Sequence, residues 1–158
     1  MSIRPPQYAT IGEEDHKLPT ERWVNAINAD DLPALAGVIA TEFLDHHPLP
    51  GQGGGLVGLI QMYGTLRTAF PDWQIVVERM LVDGDIVAVH STWHGTHQGE
   101  FLSIPPTGAQ FTVPAVDVLR IADGKIAERW GVVDLFGIVQ QLGILPPMGL
   151  AGGSTRLN

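Results

Sequence analysis

Among the side chains able to do chemistry in this chain, one aspartate stands in an unusual setting. Phe111, Val113, Ala115, Asp117, Leu119 and Ile121 alternate along a predicted strand, so all six share a face. A carboxylate in an apolar row is costly to bury unless paired or protonated, and desolvation raises its pKa. That shift makes an acid or base able to work near neutral pH. The opposite face, with Thr112, Pro114, Val116, Val118 and Arg120, is hardly more polar. Parity therefore leaves two readings of Asp117: a pocket-facing acid/base, or an edge-facing or structurally paired residue.

Histidines supply candidate partners. A strand reversal symmetric about Pro106-Thr107 sets His97 across from Asp117, Trp93 across from Ile121 and Phe101 across from Val113. A reversal about Asp123-Gly124 sets Trp130 opposite Asp117. An imidazole beside a buried carboxylate can hold its charge, relay its proton or fix its rotamer; the alternative is a structural histidine. His46 and His47 follow Asp45 before a Pro-Gly loop, and on an extended segment only one of two neighbours can enter a cavity. A metal site from His46 or His47 with His97 and Asp117 is a minor alternative. No short ligand motif supports it, and no cofactor or metal is expected.

Trp130 reads as a pocket wall or a core residue, and Trp93 and Phe111 as further lining. Asp134 stands where it can line the pocket or cap a helix beginning at Leu135. Ser91 and Ser103 have no triad partners at a recognisable offset. The glycine run from Gly51 to Gly55 lacks the Lys-Ser/Thr of a phosphate loop and reads as a flexible entrance loop.

Composition narrows the classes. The 158 residues suit one domain. Cysteine is absent, which removes thiol nucleophiles, redox pairs, disulfides and cysteine-ligated metals. The net charge of −8 with scattered basic residues offers no stripe for nucleic acid. No run approaches the roughly 20 apolar residues of a membrane span. No signal-peptide pattern stands at the start, so the expected address is cytoplasmic. Residues 1–18 read as an arm, 19–145 as the domain and 146–158 as a flexible tail.

The elements that must position these residues follow from periodicity. Helical patterns open at Thr20, at Asp31 with Pro33, and at Leu56, where Leu59, Ile60, Tyr63, Leu66 and Phe70 recur at three- and four-residue spacing. A brief strand is expected over residues 42–46. Beyond Pro71 the period becomes two: strands over 74–81, 86–101, 111–121 and 125–133, joined by two Asp-Gly turns and Pro-Pro-Thr-Gly. The class is α+β, a sheet curling around helices with a pocket at its open end.

Several blocks resemble a known family. They are Phe43-Leu44-Asp45-His46, Ala69-Phe70-Pro71-Asp72, Gly95-Thr96-His97-Gln98-Gly99-Glu100-Phe101, Ile104-Pro105-Pro106-Thr107-Gly108, Asp117-Val118-Leu119-Arg120, and Asp123-Gly124-Lys125-Ile126 with Glu128-Arg129-Trp130 and Val133-Asp134. Together they resemble the SnoaL-like polyketide cyclases, or ester cyclases, of the NTF2-like superfamily, over residues 20–143. The resemblance implies a cone, with three N-terminal helices packed on a strongly curved, mostly antiparallel sheet enclosing a pocket. It further implies a homodimer or higher oligomer, a small apolar or aromatic ligand, and cofactor-free ring closure by intramolecular aldol condensation. In that reading Asp117 takes the substrate's α-proton, His97 partners it, and His46 or His47, Tyr63 and Trp130 line the pocket. Ser103 departs from the family's usual glycine. An epoxide hydrolase with inner Asp and Arg groups, a ketosteroid-isomerase-like enzyme and a non-catalytic ligand-binding domain stand as alternatives. The first needs Arg129 to reach inward through a bulge.

Overall fold

The computed structural model describes residues 13–145; the expected tail from 146 lies outside them. Its elements run α1 (Glu13–Asn28), a 3-10 turn (Leu32–Ala34), α2 (Leu35–Val38), β1 (Ile39–Asp45), α3 (Gly55–Ala69), β2 (Gln74–Asp83), β3 (Ile86–Thr96), β4 (Gln110–Ala122), β5 (Lys125–Val133) and α4 (Leu135–Gln141). Helix α1 starts six positions before the expected boundary of the arm, because Pro19 lies inside it rather than opening it. Asp31 caps the 3-10 turn by accepting from the Ala34 amide, with Pro33 in its first turn.

One sheet carries the molecule, in the order β1-β5-β4-β3-β2. The Asp-Gly turns make β2–β3 and β4–β5 antiparallel hairpins, β3 and β4 pair antiparallel, and β1 joins β5 in parallel. This corrects the expectation of a cone. Strands β1 and β2 are separate edges that do not pair, so the sheet is open rather than closed or strongly curled. Nor do three N-terminal helices precede it. Strand β1 separates α2 from α3, and α4 follows the last strand. The physical reason lies in Ile39–Asp45, which finds backbone partners along β5 and so becomes an edge strand between helices.

Helices α1 and α3 cover one face, α3 packing on β1 and α1 on β2. The core beneath them joins Trp23, Ile27, Leu59, Tyr63, Leu66, Phe70, Trp73 and Trp93 to the inward residues of the strands. The end of α1 is fastened to the β2 edge by Asn28. Its amide donates to the Ile75 carbonyl at 2.8 Å and its oxygen accepts the Ile75 N–H at 2.8 Å, as a neighbouring strand would.

Three of the blocks that carry the family resemblance, 69–72, 95–101 and 104–108, meet in one corner, where they act as fasteners. The Asp72 carboxylate accepts from the Thr96 amide (2.7 Å) and hydroxyl (2.6 Å). The Gln98 and Gly99 amides donate to the Ala69 carbonyl at the end of α3. A Cβ on Gly99 would strike the Thr68 carbonyl, so only glycine permits that approach.

Replacing Asn28 with alanine leaves two partly buried groups of Ile75 without partners, with an expected loss of about 1–3 kcal/mol in urea unfolding. Asn28→Asp keeps the acceptor alone and should lose roughly half as much.

Candidate active site

The site is made by a bulge. Between the pairs Arg120↔Glu128 and Ile121↔Ile126, strand β5 carries one extra residue. A slip of one exchanges the faces of a strand. Arg129, Gly131 and Val133 therefore turn inward, and Trp130 turns outward. Gly131, not Trp130, stands opposite Asp117. With no side chain at Gly131, the Arg129 guanidinium lies across its Cα. A Cβ there would collide with both the guanidinium and the Asp117 carboxylate.

Arg129 joins two carboxylates. Its Nε donates to Asp117 Oδ1 at 2.7 Å, and its terminal nitrogen donates to Asp45 Oδ2 at 2.9 Å. All three side chains are 5% exposed or less. Asp45 is delivered by the parallel pairing of β1, which sets Asp45 beside Arg129. The group has two acids and one base, so with all three ionised it carries one unbalanced negative charge. Burial pushes the Asp117 pKa up, the Arg129 charge and hydrogen bond oppose that rise, and the Asp45 charge adds to it. Arg129 stays protonated, its pKa held up by Asp117, Tyr63 and Asp45 against burial. Tyr63 is held neutral by burial above all, and its hydroxyl accepts from Trp23 Nε1 at 3.0 Å.

Asp45 also connects this group to a cavity. Its Oδ2 accepts from Gln52 Nε2 at 2.9 Å, and the Gln52 oxygen accepts the Leu49 N–H. Gln52 lines a cavity of about 290 Å³ together with Leu49, Met62, Leu66, Phe101 and Leu135. That volume is at the small end of ligand sites, which run from about 300 Å³ upward. The loop forming one wall lies tight on α3, since a Cβ on Gly58 would overlap the Gly53 carbonyl.

The expected partners of Asp117 sit elsewhere. Val89 faces Asp117 across β3, because β3 ends at Thr96 and β4 begins at Gln110, leaving a long connection in place of a tight reversal. His97 instead pairs through its backbone with Ala109. It is fully buried, and its Nδ1 accepts from the Thr107 N–H (3.2 Å) and hydroxyl (3.0 Å); that hydroxyl accepts the Ala109 N–H. Nδ1 is thus the accepting nitrogen of the ring, and Nε2 has no hydrogen-bond partner among the described residues.

His46 lies on the outer face, stacked on Trp130 at 4.4 Å with rings 2° from parallel, and bonded to Glu128 at 2.7 Å. Hydrogen bonds from His46 and Arg120 hold Glu128 below the ordinary carboxylate range. His47 is exposed, its amide donating to Asp45 Oδ1. Trp93 packs on Trp73 and Phe111 on Phe70, both in the core. Asp134 caps α4 by accepting the Gly137 amide at 2.7 Å. The cavity wall is formed by none of His46, His47, Tyr63, Trp93, Trp130, Phe111 or Asp134. Sequence reasoning passed over Asp45 and Gln52 as site residues and admitted Arg129 only through a bulge. The available signal was the inward parity of Ile39, Phe43 and Asp45 on one short strand.

The profile of the SnoaL-like polyketide cyclase family matches residues 18–142. The chain belongs to that family. With it comes membership of the NTF2-like superfamily, and the likeness to SnoaL-like cyclases supports a general acid/base enzymatic role. This SnoaL-like chain is 32% identical over 122 residues to the nogalonic acid methyl ester cyclase of Streptomyces nogalater, covering 76% of this chain and 91% of that one. It is 27% identical over 128 residues to the aklanonic acid methyl ester cyclase DnrD of Streptomyces peucetius, covering 77% and 86%. In structure it resembles TsrD from Streptomyces laurentii, with a TM-score of 0.77 at 27% identity over 84% of this chain and 98% of that one.

Arg129→Ala strands Asp117 and Asp45 in the interior, with an expected loss of about 3–5 kcal/mol near pH 8. The loss has a defined pH dependence. A carboxyl whose folded pKa lies above its unfolded value of about 4 stabilises the fold fully below that value and loses the contribution as pH rises. Without the guanidinium the Asp117 pKa rises further. The gap between wild type and variant should therefore narrow as pH falls from 8 toward 5, measured by urea unfolding at each pH.

Proposed function

We propose that this protein closes a ring in a small carbonyl substrate, an aromatic polyketide methyl ester or a close relative, by cofactor-free proton transfer at Asp117. The observation that carries the reading is a buried carboxylate with a raised pKa, held by an arginine that a second carboxylate shares. Asp117 takes a proton from the carbon between two carbonyl groups. The resulting enolate carbon attacks a second carbonyl within the same molecule and forms the carbon–carbon bond. The new alkoxide then receives the proton back, directly or through water. The spare negative charge of the Asp45–Arg129–Asp117 group suits this cycle, since it can gain and lose one proton without breaking the ion pair.

Substrate enters through the 290 Å³ cavity, whose apolar wall of Met62, Leu66 and Phe101 suits a ring-shaped, largely apolar ligand. Gln52, held by Leu49 and Asp45, is the side chain that moves aside to admit the reacting end. His97 serves as a donor to a substrate oxygen rather than as partner to Asp117. Its Nε2 has no hydrogen-bond partner among the described residues, and its ring packs against Phe101.

Asp117→Asn tests the base. Turnover of aklanonic acid methyl ester should fall about 10²–10⁴-fold with affinity within a few fold; unchanged turnover would remove Asp117 from the mechanism. Asp45→Asn removes a charge that raises the Asp117 pKa. The acid limb of its kcat/KM profile should therefore lie at lower pH than in the wild type.

The Asp–Arg–Asp grouping favours one second reading, epoxide hydrolysis. There one carboxylate activates water, the other, protonated, donates to the epoxide oxygen, and Arg129 orients the pair. Diol formed from an epoxide with oxygen-18 from labelled water, at a rate exceeding ester cyclisation, would select it.

The outer face of the sheet exposes Leu44, Val116 and Val132, with Phe136 beside them. We propose this face as the contact surface of the homodimer that the family resemblance implies. Val132→Glu should shift the sedimentation coefficient from dimer to monomer while leaving the fold's circular dichroism unchanged.

A further inference from the structure

The connection between β3 and β4 contains a feature that ring closure does not use. Leu102 and Ser103 are consecutive residues with φ of 51° and 62°, a left-handed conformation that residues with a side chain rarely adopt. They form the two central positions of a tight turn closed on both sides. Phe101 N–H donates to the Ile104 carbonyl at 3.1 Å, and Ile104 N–H donates to the Phe101 carbonyl at 2.9 Å. Glycine is the ordinary occupant of such positions.

The surroundings hold the turn in this shape. Upstream, the Gln98 and Gly99 amides are fixed to the end of α3, and downstream, His97 grips Thr107 from its buried ring. The product of this constraint is the placement of one side chain. Phe101 is buried against Phe70, while Leu102 is 48% exposed, and both line the 290 Å³ cavity. An unfavourable backbone conformation retained where it holds an apolar side chain over a cavity points to a role in that cavity.

We infer that Leu102 is a specificity-determining lip, which covers the exposed face of an aromatic ligand seated in the cavity. The inference deepens the proposed function, since it takes the cavity as the ligand site, but it concerns binding and not proton transfer. The His97–Thr107 contact acts here as the brace of the lip. Leu49, Met62, Leu66, Phe101, Leu102 and Leu135 make most of the cavity's side-chain wall apolar, with Gln52, Gln61 and Thr65 as its polar members, so the ligand recognised is a largely apolar ring system.

The probe is 1-anilinonaphthalene-8-sulfonate, whose fluorescence titration reads aromatic binding without any turnover. Leu102→Ser should weaken it at least fivefold. Leu102→Met, which keeps the apolar reach, and Ser103→Gly, which keeps the turn, should each stay below a fivefold change. Phe136→Ser, in the separate outer groove lined by Val116 and Val132, controls for binding elsewhere and should also stay below fivefold. A change below fivefold in Leu102→Ser, a loss in Phe136→Ser as large as that in Leu102→Ser, or no saturable binding to the wild type would overturn the lip. Failure of the cyclase reading is seen separately, as absent turnover of aklanonic acid methyl ester by a wild type that still shows the Leu102 dependence.

Discussion

A guanidinium shared by two buried carboxylates is the constraint around which the rest of the molecule is arranged. Removing ions from water is expensive, and such a group survives only when each charge has a partner at close range. Three separate features meet that need. The β5 bulge turns Arg129 inward, Gly131 leaves room for its guanidinium, and the parallel edge strand brings Asp45 alongside. The bulge and the edge strand also serve the apolar core, turning Val133, Ile39 and Phe43 into it. Together they hold a charge imbalance in the interior, which is an unusual thing for a small domain to maintain without use.

That imbalance connects the fold to the chemistry of the SnoaL-like family. A carboxylate paired one-to-one with arginine is held ionised and is a poor base. Sharing the arginine weakens its hold on Asp117, and burial then raises the pKa toward the range where a proton can be both taken and returned. The corner formed by Asp72, Thr96, Thr107 and the Nδ1 side of His97 has a different task. With the Gln98 and Gly99 amides on the Ala69 carbonyl, it ties the end of α3 to the β3–β4 connection and so shapes the cavity wall. The residues by which the family is recognised thus divide between this architectural corner and the buried group around Arg129.

Much of this was legible in the sequence, for reasons specific to each element. The Asp-Gly turns and period-two alternation located β2 to β5, and the helical spacing from Leu56 located α3, because local chemistry decides both. Alternation placed Asp117 in an apolar row, and burial at 2% exposure agrees with that row facing the helices. The register was not legible. Symmetry about Pro106-Thr107 assumed a tight hairpin, whereas the connection contains its own turn at Phe101–Ile104 and moves His97 away from Asp117. The bulge was equally hidden, since Lys125-Ile126-Ala127-Glu128 alternates without a break, and the single extra residue exchanges Trp130 for Arg129 on the inner face. The open sheet depends on β1 finding β5, a long-range pairing that no local pattern announces.

The central claim is that Asp117 keeps a raised pKa while bonded to Arg129. It is tested most directly by carbon-13 NMR titration of the Asp117 side-chain carboxyl in the intact protein, assigned by comparison with Asp117→Asn. The account predicts a midpoint above the ordinary aspartate value of about 4, with the fold intact throughout. A midpoint at or below that value would mean that the arginine outweighs burial, and Asp117 would then be a permanently ionised structural partner instead of a base.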